Sequence, residues 1–490
     1  MTIRTRFAPS PTGYLHVGGI RTALFAYLLA KQNNGQFVLR FEDTDKKREV
    51  EGSAEHLIAS LKVLGLHYDE GPDIGGPYAP YTQSQRLDSY QTYAQRLIEQ
   101  GRAYADPYTP EEVQAFREQA QANKQPFLYR NHRPTNPPEW DGTTPLRFKS
   151  EPRQYQWHDE VMGDLVAHPE NIDDFVLIKG DGYPTYDFAH IIDDMEMSIS
   201  HVIRGQEFIS SMPKYLNLYE ALGYDVSPAG ESTLGGGPRL PKFAHAPHIM
   251  NEHGNKKLGK RDGAKDVLDY LRDGYLVETL VSFIATLGWN DGTEQEVFTM
   301  PELIERFSLS RVQHSGARFD EKRLLWMNGH FIRQLSVDEL YNRVDEFWPE
   351  SASTADLEHK KAVLSLAQDR LKTLADLPVL TDYFFTEPAP DTQLVTGNKQ
   401  LRKLPPSEIA SLLQSSYDAL SKVDDWQPAT IQDSLNQLLE TTGSKPGILF
   451  SLVRIATTWA PFSPQLNDTL AIIGRDTTLA RIRQAKDILG

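Results

Sequence analysis

The hydrophobic pattern near the N-terminus predicts a strand, a turn, a helix and a second strand. Residues 3–8 form a short strand-like run, which the Pro- and Gly-containing stretch 9–13 ends. Apolar residues then recur at helical spacing through 20–28, and an Asn-Asn-Gly stretch typical of a helix end follows at 33–35. Apolar positions alternate through 37–42, as in a strand. This order is a βαβ unit, the usual start of an open parallel sheet.

The rest of the chain alternates between helical periodicity and less regular stretches. Amphipathic spacing predicts further helices at 51–66, 86–100, 212–222, 266–288, 337–347 and 359–377. Residues 104–156 are rich in Pro, Gln, Tyr and Arg and show little periodicity, which indicates an inserted segment. A short apolar strand is predicted at 175–178, followed by a turn at 181–184 and by a segment, 186–192, that we expect to return toward the sheet.

The turn between the first strand and the first helix carries residues that suit a phosphate group. Gly18 and Gly19 open the predicted helix directly after His16. A helix start offers unpaired N–H groups and partial positive charge, and glycine lets a nucleotide approach the backbone closely. The simpler alternatives are a tight strand-to-helix turn for the glycines and a packed or solvated side chain for the histidine.

A second feature, far downstream, favours the phosphate interpretation. Residues 256–261, Lys-Lys-Leu-Gly-Lys-Arg, follow the loop-like stretch 251–254. A helix N-terminus with a histidine, together with a lysine loop that approaches it, suits a triphosphate held at both ends.

Composition limits the class of protein without identifying a partner. The chain has 490 residues, a length typical of about three domains, and no cysteine, which excludes disulfides and thiolate metal sites. The formal net charge is −16, so an RNA partner would have to meet local clusters of Lys and Arg. The N-terminus has no signal-peptide pattern and no apolar run approaches ~18 residues, so we expect a cytoplasmic protein without a membrane span.

Several motifs together resemble those of the class I aminoacyl-tRNA synthetases, in the form found in glutamyl-tRNA synthetases. The stretch 7–19, FAPSPTGYLHVGG, resembles the HIGH motif, and 257–261, KLGKR, resembles the KMSKS loop. The likeness continues in the family's order through FEDTD, GPDIGGPYAPYTQSQR, DGYPTYDFAHIIDD, HVIRGQEF and RFDEKRLLWMNG. The helical remainder of the chain is similar to the bacterial form of these enzymes.

The resemblance implies a fold class and a division of the chain. We expect an α/β protein with a doubly wound, parallel, Rossmann-like catalytic sheet, an inserted acceptor-binding domain and an all-α C-terminal anticodon-binding region. The catalytic domain would comprise 1–81 and 175–255, and the connective insertion that contacts the tRNA acceptor end would be 82–174. The KMSKS-like loop with a stem-contact domain would be 256–330, and the helical anticodon-binding domain 331–490.

The activity implied by the resemblance is ATP-dependent ligation of L-glutamate to the 3′ end of the glutamate tRNA, through a glutamyl-adenylate. The catalytic residues implied are His16, Gly18, Lys257 and Lys260. ATP would contact His16, Gly18 and Lys260 and also Gly19 and Glu207, and Mg²⁺ would accompany it, held mainly by phosphate oxygens and water. The loop has Gly259 where the family usually has Ser, which removes a hydroxyl and adds flexibility.

The glutamate pocket has to recognise two carboxylates and an ammonium group. Arginine suits carboxylates because its planar fork binds both oxygens. By resemblance, the substrate-binding residues would be Arg6, Ala8, Ser10, Glu42, Tyr186, His190 and Arg204. Glu42 would pair with the amino group, and His190 stands at a position where relatives vary. The alternative for each arginine is an ordinary surface salt bridge.

No protein-bound metal is expected. Some relatives carry a Cys/His zinc knot in the connective insertion, whereas this chain has Tyr-Ala-Asp at 104–106, so we expect no zinc. The acidic residues of 42–45 could form a metal cluster, but neighbours in a strand point to opposite faces. The three histidines of 245–253 fit no usual structural-zinc spacing, and a loop bordering the ATP site is the favoured interpretation.

Alternatives remain within and outside the family. A non-discriminating enzyme would also glutamylate the glutamine tRNA. A glutaminyl enzyme is disfavoured by the helical tail and by Pro-Ser-Pro-Thr-Gly at 9–13. An RNA-binding protein with an inactive site is disfavoured by the intact His16, Lys257 and Lys260. We expect a monomer whose partners are glutamate and the glutamate tRNA, with the glutamine tRNA as the alternative second partner.

Overall fold

The computed structural model describes residues 2–227, 238–259 and 265–490. Its strands are β1 (Arg4–Phe7), β2 (Gln36–Leu39), β3 (Ala103–Ala105), β4 (Leu146–Phe148), β5 (Tyr155–Asp159), β6 (Gly163–Ala167), β7 (Phe175–Ile178), β8 (His201–Gly205), β9 (Lys242–Ala246), β10 (Ile249–Met250) and β11 (Ala317–Arg318).

The α-helices are α1 (Val17–Gln32), α2 (Ser53–Val63), α3 (Leu87–Glu99), α4 (Pro110–Ala122), α5 (Tyr186–Glu196), α6 (Met212–Ala221), α7 (Val267–Arg272), α8 (Val277–Ala285), α9 (Met300–Arg306), α10 (Glu321–Gln334), α11 (Val337–Arg343), α12 (Leu357–Ala367), α13 (Leu377–Thr381), α14 (Gln393–Thr396), α15 (Pro406–Leu420), α16 (Pro428–Thr442), α17 (Pro446–Thr458), α18 (Leu466–Ile473) and α19 (Arg475–Leu489).

Two compact units make up the chain. The N-terminal unit comprises Met1–Asp269 and Leu280–Asp320, and the C-terminal unit comprises Tyr270–Thr279 and Glu321–Gly490. The finer division into five parts stays a prediction.

A six-stranded sheet in the order β2-β1-β8-β9-β5-β6 forms the centre of the N-terminal unit. Neighbouring strands from β2 to β5 are parallel, and only the edge hairpin β5–β6 is antiparallel. The βαβ unit predicted at the N-terminus is confirmed, with β1 and β2 paired in parallel from Arg4↔Gln36 to Phe7↔Leu39. Parallel strands of this kind bring their carboxyl ends, and the residues that follow them, to one edge of the sheet.

The predicted insertion contributes to two different sheets. Its hairpin β5–β6 extends the six-stranded sheet, because Asp159 at the end of β5 pairs with Phe243 in β9. Its strands β3 and β4 instead form a separate antiparallel sheet with β7. The stretch that lacked clear periodicity also contains α4, which begins with a capping box between Thr109 and Glu112 and buries none of its residues. A helix without a buried face leaves little hydrophobic pattern in the sequence.

One prediction for local structure in the N-terminal unit is wrong, and another left the type of element open. The segment 186–192, which was expected only to return toward the sheet, forms the first part of α5, and both polar and apolar side chains of this helix are buried. Strand β2 ends at Leu39, and Phe37, Val38 and Leu39 are all fully buried, so the expected alternation between a buried and an exposed face is absent there. Sheets of parallel strands are usually covered on both faces, which removes the alternating pattern.

The C-terminal unit is helical, as the sequence predicts. Its second half packs α15 to α19 around a core of aliphatic side chains that includes Leu413, Leu449 and Ile482. The helix predicted at 359–377 is shorter than expected, since α12 ends at Ala367 and two 3₁₀ turns precede α13. Among the described residues, no helix is both long and apolar enough to cross a membrane.

Candidate active site

A cavity of about 310 Å³ lies at the carboxyl edge of the parallel sheet. Its walls come from the residues that end or follow β1, β2, β8 and β9, from the first turns of α1 and from the start of α5. The same edge is where open α/β sheets bind their ligands. The lining comprises Arg6, Phe7, Ala8, Ser10, His16, Gly18, Gly19, Arg21, Thr22, Glu42, Tyr186, Ile203, Arg204, Gly205, Glu207, Phe208, Ala246, Pro247, His248, Ile249 and Lys257.

The structure brings together all but two of the site residues expected from the sequence. Those on the cavity wall are Arg6, Ala8, Ser10, His16, Gly18, Gly19, Glu42, Tyr186, Arg204, Glu207 and Lys257. His190 is buried behind the wall, where it contacts Arg204. Lys260 lies outside the described residues.

The start of α1 holds the imidazole of His16 in a defined orientation. The helix begins at Val17, one residue earlier than predicted, and His16 is its N-cap. Gly18 donates its backbone N–H to His16 Nδ1 at 3.2 Å. In the neutral ring, an accepting Nδ1 leaves the proton on Nε2, which can therefore donate toward a ligand. Gly18 has no Cβ to crowd the ring, since a Cβ there would lie 3.1 Å from His16 Cε1.

Arg6 and Glu42 are joined by a buried network of charges. Arg6 Nε donates to Asp194 Oδ1 at 3.1 Å, and Arg40 donates to the same carboxylate at 2.8 Å and to Glu42 Oε1 at 3.0 Å. Burial raises the pKa of Glu42 to about 7, against the opposing effect of Arg40 and Arg6. Burial alone would also raise the pKa of Asp194, but the two arginines outweigh it and lower the pKa to about 2. The network thus holds Arg6 firmly and leaves Glu42 close to its point of ionisation at neutral pH.

Arg204 is a buried cation that contacts neutral groups. Its Nε donates to His245 Nε2 at 3.2 Å, and one of its terminal nitrogens, Nη1, donates to His190 Nε2 at 3.3 Å. Its guanidinium also lies over the rings of Phe208 and Tyr215, at 5.0 and 4.9 Å from the ring centres. Among the described residues, no carboxylate forms an ion pair with Arg204. A buried guanidinium in such surroundings favours an anionic ligand.

Burial and the charge of Arg204 keep His190 neutral. They lower the pKa of His190 to about 3. His190 Nδ1 donates a hydrogen bond to the Tyr186 carbonyl oxygen at 2.7 Å. Nε2 of the neutral ring then accepts a hydrogen bond from Arg204. His190 thus supports Arg204 from the helix α5.

The lysine of the downstream loop, Lys257, lines the cavity. Lys257 Nζ donates to Glu207 Oε1 at 3.2 Å, and His248 Nδ1 lies 3.6 Å from the other oxygen of the same carboxylate. Both Lys257 and Glu207 are about half exposed, so this ion pair can open at little cost.

Several lining residues were missed by the sequence analysis. Arg21, on α1, is buried, donates to the carbonyl oxygens of Leu287 and Pro247, and has its pKa lowered to about 10 by burial. Thr22 and Phe208 also line the cavity. The one available signal was a charged residue beside the apolar stripe of α1, a pattern equally typical of a solvated helix face.

The metal-binding alternatives receive no support from the positions of the side chains. Glu42 faces Arg40, whereas Asp43 accepts from Lys46 at 2.6 Å, so the two carboxylates diverge. His245 is buried in β9, while His248 lines the cavity. In the part of the chain that the structure describes, no group of three or more His, Cys, Asp or Glu side chains is arranged to hold a metal ion.

The chain matches two families along most of its length. Residues 2–326 match the tRNA synthetases class I (E and Q), catalytic domain, and residues 339–486 match an anticodon binding domain. The glutamate–tRNA ligase of Clostridium tetani is 38% identical over 503 residues, which cover 98% of this chain and 96% of that protein. The glutamate–tRNA ligase of Clostridium botulinum strain Hall is 39% identical over 498 residues, covering 99% and 98%.

Solved structures give the same result for the fold. A glutamate tRNA ligase from Elizabethkingia meningosepticum, crystallised in complex with its amino acid, superposes with a TM-score of 0.86 at 33% identity and covers 100% of both chains. The glutamate-tRNA synthetase of Elizabethkingia anophelis superposes with a TM-score of 0.84 at 33% identity, covering 99% of this chain and 100% of that one.

Proposed function

Because the chain belongs to the class I tRNA synthetases, and within them to the glutamate–tRNA ligases that use ATP to join glutamate to tRNA, we propose that its cavity binds glutamate and ATP side by side. The observation that carries this proposal is the buried Arg204, whose contacts are neutral groups and which faces the cavity. A dicarboxylic amino acid supplies the anion that such a site lacks.

Glutamate lies in the part of the cavity formed by β1, β8 and α5. Arg204 and Arg6 bind its carboxylates, and ionised Glu42 pairs with its ammonium group. Ser10, Ala8 and Tyr186 form the surrounding wall, and His190 supports Arg204 from behind. A pocket that pairs a buried charge rejects the neutral amide of glutamine strongly, by roughly 10⁴ or more if it behaves like other polar pockets.

ATP lies along the start of α1, between His16 and the downstream loop. His16, the backbone at Gly18 and Gly19, and Lys257 hold the phosphates, with Lys260 assigned from the sequence alone. Glu207 belongs to the ATP side of the cavity and releases Lys257 when the phosphates arrive. Mg²⁺ accompanies the nucleotide and is held by phosphate oxygens and water, and no zinc takes part.

Adenylation follows from this arrangement with little acid–base chemistry. The glutamate α-carboxylate oxygen attacks the α-phosphorus, a new P–O bond forms, and the bond to the leaving pyrophosphate breaks. The chain's residues position the two reactants and stabilise the negative charge that spreads over the phosphates. The adenylate is then attacked by the terminal ribose hydroxyl of tRNA, which releases AMP. The protein acts as a monomer.

The test is ATP-dependent charging of two tRNA transcripts, those for glutamate and glutamine, with labelled glutamate and, in parallel, labelled glutamine. We expect glutamate to be attached to the glutamate tRNA. We expect Arg204→Ala to raise the KM for glutamate roughly 30-fold or more, because the substitution removes the buried cation that pairs with the ligand carboxylate. Arg48→Ala, on an exposed side chain, is the matched control. Glutamate on both tRNAs would establish the non-discriminating form, and tRNA binding without any charging would overturn the proposal.

A further inference from the structure

A buried chain of hydrogen bonds runs behind Arg204 to the edge of the sheet. Asp159, the last residue of β5, lies beside β9, where His245 is buried. His245 Nδ1 and Asp159 Oδ2 are 2.5 Å apart, and both side chains are fully buried. On the other side of the ring, His245 Nε2 accepts from Arg204 Nε at 3.2 Å. The three side chains form one series, Asp159–His245–Arg204.

The position of Asp159 determines which nitrogen of His245 carries the proton. Asp159 Oδ1 accepts from the backbone N–H groups of Val161 at 3.0 Å and Met162 at 2.9 Å, so its Oδ2 is the oxygen that faces the imidazole. Those hydrogen bonds and the one from His245 outweigh the effect of burial and lower the pKa of Asp159, which stays ionised. An ionised Oδ2 requires a proton on Nδ1, and Nε2 is then an acceptor.

The neutral state of the ring follows from its surroundings. Burial and the neighbouring Arg204 lower the pKa of His245, against the opposing effect of Asp159 and Glu207. Among the residues that the structure describes, the charged groups that act on the pKa of His245 are Asp159, Arg204 and Glu207. With the proton on Nε2 instead, two N–H groups would oppose each other between His245 and Arg204, and a buried guanidinium donor would lose its partner.

We propose that Asp159 and His245 are positioning residues that orient the guanidinium of Arg204 for the carboxylate of glutamate. The inference rests on the proposed function of Arg204. Neither residue lines the cavity, so both act through Arg204. Asp159 comes from the hairpin that the predicted insertion adds to the catalytic sheet, so the insertion supplies part of the support of the glutamate pocket.

Asp159→Asn tests the series with little change of shape. The amide keeps an oxygen for the backbone N–H groups of 161–162 but replaces the accepting Oδ2 with a donor, which forces the proton of His245 onto Nε2. We expect the KM for glutamate to rise about tenfold to a hundredfold, with the KM for ATP little changed. The matched control is Asp164→Asn in the same hairpin, where Asp164 contacts the exposed His158 at 2.7 Å.

A second pair of variants keeps the proposal testable if Asp159→Asn does not fold. In His245→Gln the amide oxygen can accept from Arg204 without help from Asp159, whereas His245→Leu offers no acceptor. We expect a KM for glutamate within a few-fold of the parent for Gln and at least tenfold higher for Leu. The double variant Asp159→Asn/His245→Gln should regain most of what Asp159→Asn loses. An equal KM for Gln and Leu, or no recovery in the double variant, would overturn the proposal.

Arg204→Ala in the same assays distinguishes failure of this inference from failure of the proposed glutamate site. If Arg204→Ala leaves the KM for glutamate unchanged, the assignment of the glutamate pocket is wrong. If Arg204→Ala raises that KM and Asp159→Asn does not, the pocket stands and the positioning role is wrong.

Discussion

Glu42 shows how one buried carboxyl group can be set for binding an ammonium ion. It is buried just beyond β2, beside Arg40 and within the field of Arg6, and its pKa is raised to about 7 by burial. An ammonium ligand pairs with the ionised form and stabilises it. In the proposed glutamate site, binding of glutamate and loss of the Glu42 proton are therefore coupled.

The coupling predicts that glutamate binds more tightly as the pH rises through 7. Below the pKa the carboxyl is protonated and offers no charge to the ammonium group, so the KM for glutamate should fall roughly tenfold between pH 6 and pH 8. In Glu42→Gln the side chain is neutral at every pH, and we expect a higher KM that no longer varies over this range. The measurement is the KM for glutamate in the charging assay at several pH values.

A surface carboxyl provides the matched control for the pH dependence. Glu49→Gln changes a half-exposed carboxyl that contacts Lys46 at 3.1 Å, and it should leave the pH dependence of the KM intact. The same pH dependence in Glu42→Gln as in the parent protein would assign the titration to another group.

At the scale of the element, the first turn of α1 combines a structural and a chemical role in one side chain. His16 caps the helix through Nδ1, and its other ring nitrogen, Nε2, carries the proton in the neutral ring. The sequence indicated a donor at this position but could not indicate the cap, because histidine is not among the preferred N-cap residues.

Two substitutions of His16 should separate these roles. Asparagine is a good N-cap, so His16→Asn should keep the melting temperature. It should still lower kcat about 100-fold, because the proposed imidazole donor to the phosphates is lost. His16→Ala loses both and should also lower the free energy of unfolding by about 1 kcal/mol. Kinetics and thermal unfolding measured on the same samples distinguish the two roles. A normal kcat in His16→Asn would show that His16 is not a catalytic residue.

Elements with a clear hydrophobic period were predictable, and those shaped by long-range contacts were not. Helix α1 has a dense apolar run that recurs at helical spacing through 20–28, and Pro9 follows β1 closely and ends it. The segment 186–192 mixes aromatic and aliphatic residues that suit a strand or a buried helix equally. It forms a helix in which Asp193 and Asp194 are buried against Arg86 and Arg40, partners more than 100 residues away.

At the scale of the whole molecule, the wall of the active site was more predictable than its support. The motifs that carry the resemblance contain residues such as His16 and Glu42, which line the cavity. Asp159 and Arg21 lie in stretches where a charged side chain is as typical of the surface as of a buried network. Only the folded sheet brings Asp159 to His245, 86 residues further along the chain.

In the predicted insertion, buried carboxylates form hydrogen bonds with tyrosine and arginine side chains. Asp174 accepts from Arg133 at 2.7 and 2.6 Å and from the Tyr104 hydroxyl at 2.9 Å. Asp106 accepts from Arg147 at 3.0 and 2.8 Å. Both carboxylates are buried, and each has its charge matched by an arginine.

This network predicts that the protein needs no transition metal. Treatment with a strong chelator, followed by return of Mg²⁺, should restore full charging activity and leave the melting temperature unchanged, because the buried carboxylates are already satisfied. Asp174→Asn, which leaves Arg133 without its partner, should instead lower the free energy of unfolding by about 3 kcal/mol. This variant shows that the unfolding assay detects the loss of one buried ion pair. One equivalent of bound zinc by elemental analysis, or a lower melting temperature after chelation, would contradict the prediction. Either result would require metal ligands, and a chain without cysteine has to supply them from His, Asp and Glu.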